Sequence, residues 1–508
     1  MSISGLGSLG GLVSGMETKT LIEKLMLIEA QPLVKMQQQQ KKTELRKGLY
    51  QEINSTLLKL RSKVEALADQ QKVLAKKLTS SDEKVVTAKM ANAGQIVSGD
   101  YSINVTQLAT AWTAKSANIT SFANPTTKEL GWSGTFQIKY ADSTATQISK
   151  DITIEASDRL TDIAAKINSA LENSTANKSM KVKATVVDNT LIFNTTETGA
   201  ASTVQILNDT SGIFGAGKLG MTNGNTTAAS FTSAVAGLNS EFTVNGVNIV
   251  RTKNTGLTDV IMGVDLTLLK QGEPTVSLKA SADLEASQKV IQEFVDTYNS
   301  TMELLNARMN EQSVPDAKSD TLLSKGLLRG DSALSSIQSS LREITGKAFT
   351  GSEMFKTLNS IGITVDMSDK GVAGKLTIDS TKLQDALTRN PNEVMKIFFV
   401  DSNANDKLDV NDDRVGNGLA GMMYSKLFML TDSTKVTYGR TSGSKGLVPS
   451  RMELMDSQIK GFTDRMESFN RRLEMRRKTL EAQFTSMEMM MQRSNSAAGF
   501  MMARMGAQ

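Results

Sequence analysis

What chemistry this chain could do is bounded by two absences: its 508 residues include no histidine and no cysteine. No Ser-His-Asp triad, Cys-His pair, Cys/His zinc site or His-ligated haem can be assembled without them. Acid–base work could rest only on carboxylates, lysine or tyrosine. The composition points away from an enzyme, and it leaves no disulfide framework. One stretch has metal-ligand spacing, DSNANDKLDVNDD at 401–413. Read as a calcium loop, Asp401, Asn403 and Asn405 take positions 1, 3 and 5, and Lys407 offers its carbonyl. Asp409 then fills position 9 and Asp412 position 12. Calcium favours such alternating oxygen ligands, but Asp406 stands where the turn glycine belongs and Asp412 is shorter than the usual bidentate Glu. The competing reading is a solvated acidic loop, and no other cofactor is expected.

The densest basic patch is Arg471, Arg472, Arg476, Arg477 and Lys478. Nucleic-acid binding would need a wider stripe with aromatic platforms. Glu467, Glu474 and Glu481 stand at helical spacing to these bases, which favours a solvated, ion-paired face. The 58 basic and 53 acidic residues are interspersed, so nothing calls for nucleic acid. No apolar run approaches the length of about 18 residues that a spanning helix needs, so no membrane insertion is expected.

Two heptad seams would position whatever this chain presents. Ile53, Leu57, Leu60, Val64, Leu67, Leu74 and Leu78 form the first, with Gln71 as its polar member. The second runs Met452, Met455, Ile459, Phe462, Met466, Phe469 and Leu473, meets Arg476, and continues through Leu480, Phe484, Met487 and Met491. Two successive steps of four, from Arg476 to Phe484, read as a stutter. Seams at opposite ends of one chain predict an antiparallel coil between them, with the middle of the chain as an insertion. The alternative is that each packs on its own neighbouring domain. Eleven of the 27 methionines lie at or after Met452, which suits adaptable contacts or reflects Met standing in for Leu.

Between the seams, Thr79 to Ala282 is rich in Thr, Asn, Ser and Val, with alternating runs such as Tyr101–Thr106, Lys181–Val187 and Glu241–Asn245. These read as half-buried strands, with one helix at Leu160–Leu171. From Asp283 the helical pattern returns, and a short strand, GKLTID, precedes a helix begun at Ser380.

The opening MSISGLGSLGGLVSG lacks both the basic front of a cleaved secretion signal and the Gly-Lys-Ser/Thr ending of a phosphate loop. It reads as a tail that orders against a partner. Ser14 and Glu17 form a capping box for a helix from Gly15 to Ala30, with Leu21, Leu25 and Ile28 on one face and Pro32 as its stop.

Five blocks in order resemble the flagellar filament-capping family, that of flagellar hook-associated protein 2. They are SGLGS with IEKLMLIEAQPL (22–33), GDYSINVTQLATA (99–111), FTVNGVNIVRTKNTGLTDVIMGVDLTLL (242–269), KLTIDSTKLQDALTRNPNEVMKIFF (375–399) and LEAQFTSMEMMMQRSNS (480–496). The island DRLTDIAAKINSA also resembles a module of flagellin inserts, which makes a flagellin-like filament subunit the nearest rival. A surface adhesin or glycan-binding module is the rival of another class.

The resemblance implies an α+β fold with an antiparallel coiled-coil leg from both chain ends, a two-part β-rich head inserted between them, and flexible termini. It implies flexible segments at 1–40 and 495–508, a leg at 41–78 and 283–494, an inner head at 79–125 and 230–282, and an outer head at 126–229. A secreted, extracellular homo-oligomer at the distal tip of the flagellum follows from it, holding flagellin beneath it. Implied partners are flagellin, the hook–filament junction protein and a cytoplasmic type III export chaperone on the C-terminal helix. The partner-binding residues expected are Leu21, Leu25, Ile28, Leu480, Phe484, Met487 and Met491.

Overall fold

The computed structural model describes residues 18–119, 124–143, 145–172, 180–209, 211–222, 228–366, 374–401, 408, 417–434, 436–438 and 441–505. It combines helices with antiparallel sheets in two compact units, residues 1–74 with 285–508, and residues 75–284. The capping box at Ser14–Glu17 lies outside the described residues. Helix α1 (Thr18–Glu29) and helix α2 (Gln31–Ala68) are separated by Ala30 alone. Pro32 therefore opens α2 instead of leading into a linker, because a first-turn proline forfeits no intrahelical bond. It still divides the helices, since it has no N–H to offer the turn before it.

The polar run QQQQKK lies within α2. The first seam ends at Leu67, short of the expected Leu74 and Leu78. Asp69 turns to extended angles and caps the one-turn helix α3 (Gln70–Val73), accepting from the Gln71 amide at 3.0 Å.

The second unit is β-rich. Its first strands are β1 (Lys76–Ser80), β2 (Val86–Met90), β3 (Gly99–Gln107), β4 (Ala111–Lys115), β5 (Gly134–Ala141), β6 (Thr146–Ile148) and β7 (Ile152–Ile154). Helix α4 (Leu160–Glu172) precedes β8 (Val182–Val187), β9 (Thr190–Thr198), β10 (Thr203–Leu207) and β11 (Ala228–Ser230). Strands β12 (Ser240–Val244), β13 (Val247–Arg251), β14 (Val264–Leu268) and β15 (Val276–Ala282) complete it. Leu78 belongs to β1, not to a helix.

One sheet has the order β1-β15-β3-β12-β13, and the ribbon β14-β2 shares its core of Ile103, Val105, Phe242, Leu266 and Leu278. The β12–β13 hairpin turns on Asn245 (φ 48) and Gly246 (φ 81), the positive angles a two-residue turn needs to match strand twist. β1 and β15 pair from Lys76↔Ala282 to Ser80↔Leu278, and the Asp283 amide reaches the Ala75 carbonyl at 2.7 Å.

A second core lies among β4-β9-β8, β11-β10-β5-β6, β7 and α4. α4 buries Leu160, Ile163, Ala164, Ile167 and Leu171, one face at helical spacing. Phe136 meets Phe214 edge-on at 4.7 Å, and Trp112 meets Phe231 at 5.3 Å. This core is wider than the expected 126–229, because β4 pairs with β9 and so carries Trp112 and Ala114 into it.

The first unit resumes with α5 (Leu284–Asn310), α6 (Asp320–Leu323), α7 (Ser332–Thr345), the hairpin β16 (Ile363–Asp366) and β17 (Lys375–Ile378), α8 (Ser380–Arg389) and α9 (Pro391–Phe398). It ends with α10 (Gly418–Thr431), the hairpin β18 (Val436–Tyr438) and β19 (Thr441–Ser444), and α11 (Leu447–Met505). α11 has 59 residues, a rod of about 90 Å. Residues 18–29, 31–40 and 495–505, grouped by the resemblance with the flexible ends, are helical.

The first seam is held by several helices. Ile53, Leu57, Leu60, Val64 and Leu67 are fully buried. Around them Glu52 pairs with Arg308 and Lys63 with Glu293, both at 2.7 Å, so α2 runs antiparallel to α5. Arg61 reaches Thr431 on α10 at 3.2 Å and lies over the Phe428 ring at 5.6 Å.

Candidate assembly surface

The second seam meets the N-terminal part of the chain. Thr18 donates to Glu488 at 2.7 Å, Arg476 to Glu29 at 3.0 Å, and Gln40 to Thr463 at 3.0 Å; Lys47 pairs with Asp456. As numbering rises along α1 and α2 it falls along α11 in near step, the signature of an antiparallel pair. The coil thus joins α11 to residues 18–47, and the expected pairing of Ile53–Leu67 with Ile459–Leu473 does not occur.

Depth of burial gives the reason. Ile459, Phe462, Met466, Phe469 and Leu473 are only half-buried, as a seam with one neighbour must be, whereas Ile53–Leu67 need a bundle to be covered completely. The facing positions on α2 are Leu33, Met36, Gln40, Thr43 and Lys47, likewise half-buried and stepping by threes and fours. A search for apolar heptads misses them because three of the five are polar. Their spacing, continued from Leu33 and Met36, was the available signal.

Near the Ala30 break the coil opens into a groove lined by Ile22, Met26, Leu27, Ala30 and Leu473, with Glu23 and Arg477 at its charged margins. Arg476, the polar member of the seam, is drawn outward to Glu29 there. The rest of the basic patch is solvated: Arg477 pairs with Glu481 at 3.0 Å, and Arg472 lies over Phe469 at 5.1 Å.

The expected partner-binding residues divide between two surfaces. Leu21, Leu25 and Ile28 are exposed, because α1 turns Thr18, Ile22 and Met26 toward α11 instead. Leu480 is buried, and Phe484, Met487 and Met491 are half-buried on the coil side. The outward apolar surface includes residues the sequence reading did not select: Leu27, Met475, Met489, Met490, Phe500, Met501 and Met502.

Two carboxylates order the helical unit. Asp331 accepts from Tyr50 Oη at 2.8 Å, from Arg46 at 3.0 Å and from the Ala333 amide at 2.9 Å, capping α7 while gripping α2. Burial pushes its carboxyl up, but the bonds donated by Tyr50, Ala333, Arg46 and Leu334 outweigh this and hold it below the usual range. Burial, then the bond to Asp331, pushes the Tyr50 hydroxyl up. Glu393, within the NPNEVMKIFF block, accepts from Ser352 at 2.7 Å and from the Glu353 amide at 2.9 Å. Lys396, Ser352 and the Glu353 and Met354 amides hold its carboxyl at about 2.

Among the described residues no three carboxylates converge on a metal-sized site. Asn403, Asn405, Lys407, Asp409 and Asp412 of the calcium reading lie outside the described residues, of which Asp401 is one. No helix among the described residues is long and apolar enough to cross a membrane.

Residues 237–496 match the family model described as flagellar hook-associated protein 2 C-terminus, and residues 14–112 match its N-terminus counterpart. A flagellar hook-associated protein 2 of Halalkalibacterium halodurans is 27% identical, covering 96% of this chain and 98% of its own. That of Escherichia coli K12 is 24% identical, covering 98% and 97%. The crystal structure of the flagellar cap protein D1-D2-D3 domains from Escherichia coli covers 75% of this chain and 96% of that one, with a TM-score of 0.55 at 23% identity, which shows a shared fold. With one family model spanning half of the chain and a second matching its N-terminal part, the chain belongs to the flagellar hook-associated protein 2 family.

Proposed function

We propose that this chain caps a flagellar filament, as a homo-oligomeric lid at the distal tip that retains exported flagellin and promotes its folding and insertion. The helical unit serves as the leg and the β-rich unit as the head. The hook–filament junction protein is a neighbour during assembly, and a type III export chaperone engages α11 beforehand.

The observation that carries this reading is the apolar surface left open on α1 and α11, above all Leu21, Leu25 and Ile28, in a chain of this family. Such surface on a soluble chain marks an interaction site. A lid that moves with each inserted subunit needs contacts that are many and individually weak. The exposed methionines of α11 suit this, because methionine tolerates several packings.

Two experiments test the proposal. A strain lacking the chain should shed unpolymerised flagellin and bear short filaments or none. Intact filaments with lost attachment would favour the adhesin reading. Purified full-length chain added to capless filaments should restore growth, while a chain starting at Lys41, deprived of α1, should not. Equal restoration by both would overturn the anchoring role of α1.

A further inference from the structure

Exposed sulfur is concentrated on α11. Among the described residues nine methionines are exposed, and five of them lie on α11: Met475, Met489, Met490, Met501 and Met502, at 51% to 77% exposure. Met302 and Met423, by contrast, are completely buried core residues. With no cysteine in the chain, these thioethers have no thiol to compete for an oxidant. Oxidation follows access, and it turns a flexible apolar side chain into a polar one.

We infer that these five methionines are a modification site, at which hydrogen peroxide converts the assembly surface from apolar to polar and switches it off. The inference rests on the capping reading for its consequence, though not for its chemistry. In each event a sulfur lone pair attacks one peroxide oxygen and the O–O bond breaks. A sulfur–oxygen bond forms, and the second oxygen leaves as water after proton transfer. Sulfur is oxidised by two electrons and the peroxide is reduced by two. A methionine sulfoxide reductase, drawing electrons from a dithiol, reverses the change. The fold survives because none of the five side chains belongs to a core. The chain is vulnerable while unassembled, when this surface faces solvent.

The test treats the full-length chain with hydrogen peroxide and maps sulfoxides by peptide mass spectrometry. The five α11 methionines should react about tenfold faster than Met302 and Met423, with helicity and Tm retained. Capping of filaments should fall in proportion and return after treatment with the reductase. In a variant carrying Met→Leu at all five positions, capping with and without peroxide should be equal. Even reaction across buried and exposed methionines would overturn the assignment, as would undiminished capping by fully sulfoxidised chain. If untreated chain does not cap, the capping reading fails, while the peptide map still decides the site.

Discussion

At the scale of single residues, the strongest constraint in the helical unit is Asp331. Asp331→Ala removes an α7 cap and the acceptor of the buried Tyr50 hydroxyl, while the exposed Arg46 loses its ion pair. It should cost about 3 kcal/mol, read by denaturant unfolding of the helical unit. Asp331→Asn keeps the shape and tests the charge. A carboxyl held below its unfolded value stabilises above the ordinary range, and that stability is lost as pH falls through its folded value. The Asn variant should therefore lose less stability on acidification than the parent.

Glu393 has the same sign. Its contribution is complete above the ordinary 4.5 and vanishes as pH falls through about 2. Glu393→Gln should speed hydrogen exchange at the Glu353 and Met354 amides at neutral pH; unchanged protection there would contradict its pinning role. The sequence DSALSSIQ shows Asp331 as a helix cap. Its second duty could not be read, because Tyr50 lies 281 positions away and only tertiary packing brings it near.

At the scale of elements, two substitutions that look alike in the sequence should behave differently. Leu60→Asp places a charge where exposure is zero and several helices converge, so it should cost about 4 kcal/mol and unfold the bundle. Met466→Asp falls on a half-buried seam with water at its edge and should cost about 1 kcal/mol, loosening α11 locally. Hydrogen exchange distinguishes them, with the β-rich unit as internal reference. Equal losses would mean that the two seams share one environment after all.

Heptad spacing made both stripes legible, but the pairing expected between them is not the one formed. Spacing alone could not show that one stripe is covered by a bundle and the other by a single helix. The α2 residues facing α11 were hidden for a further reason. Gln40 and Lys47 meet Thr463 and Asp456 through polar ends, which no hydrophobic pattern registers. The strands at 99–107, 182–187 and 240–244 alternate clearly and were read at the right places. The reach of the second core to Trp112 was not, because it depends on which strand β4 pairs with.

At the scale of the whole molecule, β1 and β15 lie side by side from Lys76↔Ala282 onward. The chain leaves the β-rich unit about 5 Å from where it came in, the spacing of paired strands. Seen from the helical unit, the intervening 76–282 is a closed loop of one strand spacing. Any folded module whose ends meet at that distance could replace it, and such modules are common because chain termini often lie close together. The β-rich unit is thereby free to change in size and character. The helical unit would not have to change with it.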